Sequence, residues 1–190
     1  YLETDPDVCV YILTATSNPG AREFQDAISG GIKNYQRMAM LGRKWDKERV
    51  GFVVGATKPD AIRNIRAIEV NEGYEDMAHV LAPGFGKQGG SLDFVSLAGK
   101  NAVYPISSGL TKDKYLNGLT PKEASKKWRD DINTELEKGT KKESILDLVI
   151  DGMIKDGLII VPSSPEIYKW PLLKKGKLKL EGTEYKLIGL

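Results

Sequence analysis

Apolar residues occur along this chain in two alternating patterns, short continuous runs and longer stretches with apolar positions every three or four residues. The runs at 8–14 and 50–57 contain many β-branched residues, as is typical of buried parallel strands, and a third strand is predicted at 79–82. A fourth strand with a Ser/Gly-rich exit is predicted at 102–109. We expect the strand from Val8 to Thr14 to be covered on both of its faces.

The intervening stretches predict helices. One amphipathic helix is expected from Ala21 to about Leu41, with a break or kink at Gly30-Gly31, because two glycines cost a helix about 1–2 kcal/mol. Thr57 is expected to cap a second helix, and 92–97 predicts a short third one. The second helix should bury Ile62, Ile65, Ile68 and Val70 and turn Arg63 and Arg66 away from this apolar face.

A capping box predicts the start of the last regular helix. Thr120 and Glu123 flank Pro121 at the first helical position, and the helix should run to about Glu137. Its core stripe is expected to consist of Ala124, Trp128, Ile132 and Leu136.

Successive strand-then-helix units predict a parallel sheet with right-handed crossovers. In such folds the loops at the carboxyl ends of the strands meet at one edge, where ligands bind. We therefore expect one shared rim that contains Thr16, Ser17, Thr57, Gln88 and Ser108.

The loop at 81–90, LAPGFGKQGG, combines four glycines with one amide side chain. Glycines allow a backbone to approach a ligand closely and to present N–H groups to an anion. The spacing is G-x-G-x-x-G, but no long helix opens at Gly89 and the Gly-Lys-Ser/Thr of a P-loop is absent. A phosphate-binding loop and a plain strand-to-helix turn both fit these residues, and the shared rim favours phosphate.

Composition describes an ordinary globular protein. The chain has 190 residues, of which 41% are hydrophobic and 28% charged, and it has a formal net charge of +2. This charge gives no indication of a nucleic-acid partner, and no apolar run approaches the ~20 residues of a membrane span. The first residues have no basic region or apolar core of a signal peptide. Since the chain begins at Tyr1 rather than at Met, we expect a preceding segment.

Cys9 and His79 offer little chemistry of their own. As the single cysteine, Cys9 cannot form an internal disulfide, and we expect a small buried apolar residue in a reducing intracellular compartment, the cytoplasm or an organelle. A lone histidine without a cysteine pair gives no basis for a zinc site.

The character of the chain changes after Gly139. A helix from about Ser144, a strand at 158–161 and an alternating hairpin at 177–188 are predicted, separated by prolines. We therefore divide the chain into a β/α unit at 1–139 and a small lysine-rich appendage at 140–190.

Three motifs in order resemble orotidine 5′-monophosphate decarboxylase, particularly the branch found in Plasmodium, kinetoplastids and many bacteria. They are TSNPG at 16–20, GFVVGAT at 51–57 and PGFGKQGG at 83–90, and 120–133 resembles the last helix of the family's barrel. The resemblance extends over about 8–136. It implies an α/β fold of the parallel (β/α) barrel type, in which this chain supplies strands five to eight of the eight.

The family converts orotidine monophosphate (OMP) to UMP in pyrimidine biosynthesis without a metal or an organic cofactor. Carried over by motif, Ser17 would hydrogen-bond the pyrimidine edge, and the Gln88 amide would bridge base and phosphate. The same resemblance assigns the rest of the substrate-binding loop to Pro83, Gly86, Gly89 and Gly90.

Two departures from the family pattern are evident. The catalytic array, Asp-x-Lys-x-x-Asp with a further lysine, belongs to earlier strands and is absent, so this chain alone should be an inactive carboxy-lyase without catalytic residues. Ser108 stands where the family has a phosphate-binding arginine. Its loss should cost about 2–3 kcal/mol of phosphate binding unless Lys87 or Lys112 compensates.

Three functional interpretations stay open. In the first, the chain is part of a decarboxylase that binds OMP or UMP and is completed by another chain or a second copy. In the second, it is an inactive relative, a pseudoenzyme, that serves as a structural subunit of a larger complex. In the third, it is an unrelated phosphate-binding α/β domain.

Overall fold

The computed structural model describes residues 1–74, 77–139, 177–180 and 183–186. Within them the helices are α1 (Ala21–Phe24), α2 (Asn34–Trp45), α3 (Pro59–Asn71), α4 (Asp93–Ala98), α5 (Ser108–Thr111), α6 (Asp113–Leu116) and α7 (Pro121–Gly139). The strands are β1 (Val10–Ala15), β2 (Ile28–Ser29), β3 (Ile32–Lys33), β4 (Val50–Val54), β5 (Val80–Leu81), β6 (Ala102–Val103), β7 (Lys177–Leu180) and β8 (Thr183–Lys186).

The central element is a four-stranded sheet in the order β1-β4-β5-β6, and every neighbouring pair is parallel. This confirms the parallel sheet predicted from the strand-then-helix pattern. The two later strands are shorter than predicted, with two residues each. Because all four strands run the same way, the loops that follow them lie at one edge of the sheet.

The two faces of the sheet differ. On one face Phe52 and Val80 are fully buried beneath the helices. On the other face a row crosses the sheet from Leu13 through Val53 and Leu81 to Val103, and its two ends are 58% and 53% exposed. The expectation that β1 is covered on both faces is therefore wrong. Its continuous apolar run resembles that of a doubly covered strand, but the described residues supply helices for one face only.

The long helix predicted from Ala21 to Leu41 is interrupted. A short antiparallel hairpin, β2 and β3, separates α1 from α2, and Gly30 and Gly31 at its turn have φ of 61° and 81°. A φ in this region is accessible to glycine and incompatible with a continuing helix. The predicted break is therefore present, but the double glycine is the turn of a hairpin that lies between α1 and α2, rather than a kink inside a helix.

The helix α3 confirms Ile62, Ile65 and Ile68 as core residues, while Val70 is 44% exposed. Thr57 does not cap it, because the N-cap position is Lys58 and Pro59 follows. Arg66 is fully buried, contrary to expectation. Its guanidinium donates to Glu69 at 2.5 Å, and it also donates to the carbonyl oxygens of Ala98, Leu97 and Ala78.

Cys9 is exposed, so the expectation of a buried thiol is wrong. The strand β1 begins one residue after Cys9, at Val10, so Cys9 lies outside the sheet. His79 is also exposed, and its carbonyl oxygen accepts from the Phe52 N–H at 2.9 Å.

The capping box at the start of α7 is confirmed. The Thr120 N–H donates to the Glu123 carboxylate at 2.8 Å, and the Glu123 N–H donates back to the Thr120 hydroxyl at 3.3 Å. These hydrogen bonds lower the pKa of Glu123 below its usual range, with the Thr120 backbone donor as the largest cause. Ala124 is buried, and Trp128, Ile132 and Leu136 pack against the core as predicted.

The C-terminal hairpin is confirmed in its paired residues, since β7 and β8 are antiparallel with Leu178 opposite Tyr185. The helix predicted from Ser144 and the strand predicted at 158–161 lie outside the described residues. The division at Gly139 stays a prediction. None of the helices within the described ranges combines the length and the hydrophobicity that a membrane span requires.

The buried Arg66 yields a test of the fold. We expect Arg66→Met to lower the free energy of unfolding by about 3 kcal/mol or more, because Glu69 and three carbonyl oxygens lose a buried donor. Urea denaturation followed by circular dichroism measures the loss. Lys127→Met, which removes an exposed pair with Asp131, is the control and should change stability by less than about 1 kcal/mol. Equal effects of the two variants would contradict this interpretation.

Candidate functional site

The loops after β1 and β5 meet at the carboxyl edge of the sheet. The Ser17 hydroxyl donates to the Gln88 side-chain carbonyl oxygen at 2.9 Å, across 71 residues of sequence. Both residues are exposed, so this pair faces outward from the edge. With its oxygen used by Ser17, Gln88 still has its amide N–H groups available as donors to a ligand.

The glycine loop after β5 has a backbone geometry that requires glycine. Gly84, Gly86 and Gly89 have φ of 121°, 81° and 74°, which is the region that residues with a Cβ atom avoid. The Gly89 and Gly90 N–H groups donate to Gly86 and Gly84 carbonyl oxygens at 3.0 and 3.1 Å. These two N–H groups therefore stabilise the loop itself. Gly89 and Gly90 contribute to a ligand site chiefly because, without side chains, they leave space for a ligand.

The loop lies directly on the segment that follows β4. The Ala56 N–H donates to the Pro83 carbonyl oxygen at 2.8 Å. A Cβ atom at position 90 would lie 2.6 Å from the Ala56 Cβ and 3.0 Å from the Gly84 oxygen. Only glycine at position 90 permits this close approach.

Phe85 anchors the glycine loop to the helical layer. Its side chain is 4% exposed and makes edge-on contacts with Phe94 of α4, Tyr104 and Trp128 of α7, at centroid distances of 6.4, 5.8 and 6.1 Å. Burial raises the pKa of Tyr104, whose hydroxyl donates to the Gly99 carbonyl oxygen at 2.8 Å. The loop is thus held from beneath by a packed aromatic cluster.

The loop after β6 is adjacent to the glycine loop. A Cβ atom at Gly86 would lie 3.7 Å from the Ser108 hydroxyl oxygen and 3.4 Å from the Gly109 nitrogen. Lys87 and Lys112 are exposed, and neither makes an ion pair with another described residue. Ser108, for which the resemblance implies an arginine, thus places a hydroxyl beside the glycine loop. Lys87 lies in the glycine loop itself, and Lys112 follows α5.

The loop after β4 completes the edge. A Cβ atom at Gly55 would lie 3.6 Å from the Ser17 nitrogen and 3.7 Å from the Thr57 hydroxyl oxygen. The structure therefore brings together the residues expected at the rim, which are Thr16, Ser17, Thr57, Gln88 and Ser108. No group of three or more potential metal ligands occurs in the part of the chain that the structure describes.

Two residues of this site were missed by sequence reasoning, Gln25 and Phe85. Gln25 accepts a hydrogen bond from the Thr16 N–H at 2.8 Å. It lay within the expected helix, where nothing in the pattern separates it from a solvated polar residue. The apolar character of Phe85 within a glycine-rich polar loop was a usable signal, because such a residue commonly packs inward.

No family model matches this chain. It is 38% identical to the orotidine 5′-phosphate decarboxylase of Azoarcus sp. over 100 residues, which is 52% of this chain and 35% of that protein. It is 43% identical to that of Roseiflexus castenholzii over 86 residues, 44% of this chain and 29% of that one. The structure of Leishmania donovani UMP synthase matches with a TM-score of 0.57 and 29% identity, covering 69% of this chain and 28% of that chain.

These comparisons confirm the resemblance to orotidine 5′-phosphate decarboxylases over about half of this chain, 52% in the match to the Azoarcus protein. They also agree with a mixed α/β fold built on a parallel sheet. The matching part spans about a third of the length of the curated relatives, 35% and 29% in the two cases given.

The contact between Gly90 and Ala56 can be tested. We expect Gly90→Ala to lower the free energy of unfolding by about 1–3 kcal/mol, because the added methyl group overlaps the Ala56 Cβ and crowds the Gly84 carbonyl oxygen, neither of which can move without shifting the backbone. Thermal or urea denaturation measures the change. Gly20→Ala is the matched control, since a Cβ there meets nothing within 4 Å and φ is −66°. A variant Gly90→Ala as stable as Gly20→Ala would show that the loop does not pack on Ala56 in solution.

Proposed function

We propose that this chain, which resembles part of an orotidine 5′-monophosphate decarboxylase, supplies the base- and phosphate-recognising strands five to eight of a (β/α)8 barrel. In this assignment the ligand is OMP or its product UMP. Ser17 contacts the pyrimidine edge, Gln88 donates to base and phosphate, and the glycine loop lines the phosphate position.

The observation that carries the proposal is the hydrogen bond between Ser17 and Gln88. It joins two of the three motifs on which the resemblance rests, TSNPG and PGFGKQGG, and it holds their polar groups toward solvent at a single edge. A plain strand-to-helix turn requires the glycines for its geometry, but it does not require an exposed amide fixed by a second loop.

The open face of the sheet supports the proposal that further strands complete the barrel; we call these strands the complement. Besides Leu13 and Val103, the edge strand β1 exposes Tyr11 on this face, to 43%. Edge strands and exposed apolar surface of this kind are usually covered in native proteins. In our proposal the remaining strands of the barrel, on a preceding segment, another chain or a second copy, pack on this face.

The decarboxylation chemistry requires that complement. The Asp/Lys array, in which a carboxylate destabilises the substrate carboxyl group and a lysine protonates the carbanion, is implied for the earlier strands by the resemblance. The chain described here then binds and orients the nucleotide, and the complement performs the proton transfer.

A second candidate function is a structural subunit of a larger complex that has lost the chemistry. Ser108 favours it, because a hydroxyl cannot replace the bidentate, charge-assisted contact of an arginine with phosphate. The glycine loop favours the decarboxylase assignment, since its geometry is intact.

Nucleotide binding is the first test. We expect UMP to bind the purified chain in isothermal titration calorimetry, and Gln88→Ala to weaken this binding at least about tenfold, because the lost donors serve a charged ligand. Asn133→Ala, at an exposed amide on α7, is the matched control and should bind as the unchanged chain does. Mass spectrometry of co-purifying chains accompanies the titration. A chain held in a larger complex that binds no UMP would support the structural subunit instead.

Restoring the arginine is the second test. We expect Ser108→Arg to tighten UMP binding by roughly 30- to 150-fold, which corresponds to the 2–3 kcal/mol of a charge-assisted contact. Lys87→Ala and Lys112→Ala, each measured in the unchanged chain, identify a lysine that already fulfils this role. If Ser108→Arg does not raise the affinity for UMP and neither lysine variant lowers it, the phosphate does not bind between these two loops.

A further inference from the structure

The Gln25 side chain is buried beside the Ser17 loop, with 8% of the residue exposed. Its carbonyl oxygen accepts from the Thr16 N–H at 2.8 Å and lies 3.3 Å from the Thr16 hydroxyl oxygen. Thr16 directly follows β1, and its backbone leads into Ser17. The amide of Gln25 therefore holds the loop at the residue before the one that reaches Gln88.

Gln25 is itself fixed by its backbone. The backbone N–H of Gln25 donates to the Ala21 carbonyl oxygen at 2.7 Å, and the backbone carbonyl oxygen of Gln25 accepts from the Tyr35 N–H at 3.0 Å. Tyr35 is 2% exposed, and its hydroxyl accepts from the Asn64 side chain of α3 at 2.6 Å. The residue whose side-chain oxygen accepts from Thr16 is thus linked, through Tyr35, to the helix α3.

We infer that Gln25 is the positioning residue for Ser17 in the nucleotide site, an inference that rests on the proposed function. Its side-chain oxygen satisfies the Thr16 N–H and so sets the path of the backbone into Ser17. This path directs the Ser17 hydroxyl to the Gln88 carbonyl oxygen and leaves the Gln88 N–H groups for the ligand. Gln25 acts through Thr16 and Ser17, and its test needs a readout that stability alone does not provide.

Hydrogen exchange of the Thr16 amide, followed by NMR, gives this readout without any ligand. In Gln25→Leu, which keeps the size but removes the acceptor, the Thr16 amide should exchange about 3- to 10-fold faster, as expected for the loss of one hydrogen bond. Gln25→Glu keeps an acceptor oxygen and should retain the slow exchange. If Gln25→Leu does not fold by circular dichroism, Gln25→Asn, in which the acceptor is withdrawn by one methylene group, replaces it.

Gln36→Leu is the matched control. It removes the same kind of bond, from the Lys33 N–H to the Gln36 side-chain oxygen at 3.0 Å, at the start of α2. The Thr16 amide should exchange at an unchanged rate in this variant. The inference is overturned if the Thr16 amide of the unchanged chain exchanges as fast as a free amide. Equal Thr16 rates in Gln25→Leu, Gln36→Leu and the unchanged chain, or equal acceleration in both variants, would also overturn it.

UMP titration then connects the positioning to binding. Gln25→Leu should weaken UMP binding about 3- to 10-fold, in parallel with the exchange rate, and Gln25→Glu should restore it. Weakened binding without faster Thr16 exchange would overturn the positioning role. If the unchanged chain binds no UMP, the proposed function fails, while the exchange experiment still decides whether Gln25 fixes the Ser17 loop.

Discussion

Parallel pairing of neighbouring strands is the constraint on which the site depends. The pairing continues past the strand ends, because the Gly55 N–H donates to Ala15 at 2.7 Å and the Ala56 N–H donates to Pro83 at 2.8 Å. These bonds lie in the loops themselves. The segments that carry Ser17 and the glycine loop are therefore fixed relative to each other by the sheet, before any side chain of the site makes a contact.

Two kinds of packing convert this backbone frame into a defined surface. Beneath the glycine loop, Phe85 enters a cluster of aromatic rings from the helices. Beside it, Gly90 allows the loop to lie against Ala56 at a distance that no other residue permits. The exposed Ser17 and Gln88 are thus attached to a rigid support, as a binding site requires. The opposite face of the sheet has no comparable support within the described residues, and it is there that our proposal places the remainder of the barrel.

Much of this arrangement could be predicted from the sequence. The shared rim followed from strand direction alone, and the start of α7 followed from the chemistry of Thr120 and Glu123. The features that could not be predicted depend on tertiary context. The pattern around Gly30-Gly31 has helical periodicity, but positive φ at both glycines makes a hairpin turn. Arg66 carries a charge that predicts exposure, yet the carbonyl oxygens and Glu69 around it satisfy its donors in the core. The open face of β1 could not be predicted, because its continuous apolar run does not differ from that of a strand covered on both faces.

The buried pair of Arg66 and Glu69 also limits how this sequence can change over evolutionary time. Glu69 accepts from the Ala78 N–H at 2.7 Å as well as from Arg66, so each charge is held by a partner and by the backbone. Arg43 lies 3.5 Å from the same carboxylate and is also buried. Replacing Glu69 alone therefore leaves two buried arginines without their carboxylate, and replacing Arg66 alone removes the donor to the carbonyl oxygens of Leu97 and Ala98. Single substitutions in this cluster are therefore costly. A lineage that carries the cluster should retain it or lose its three charged members together, even where selection on the exposed rim has relaxed.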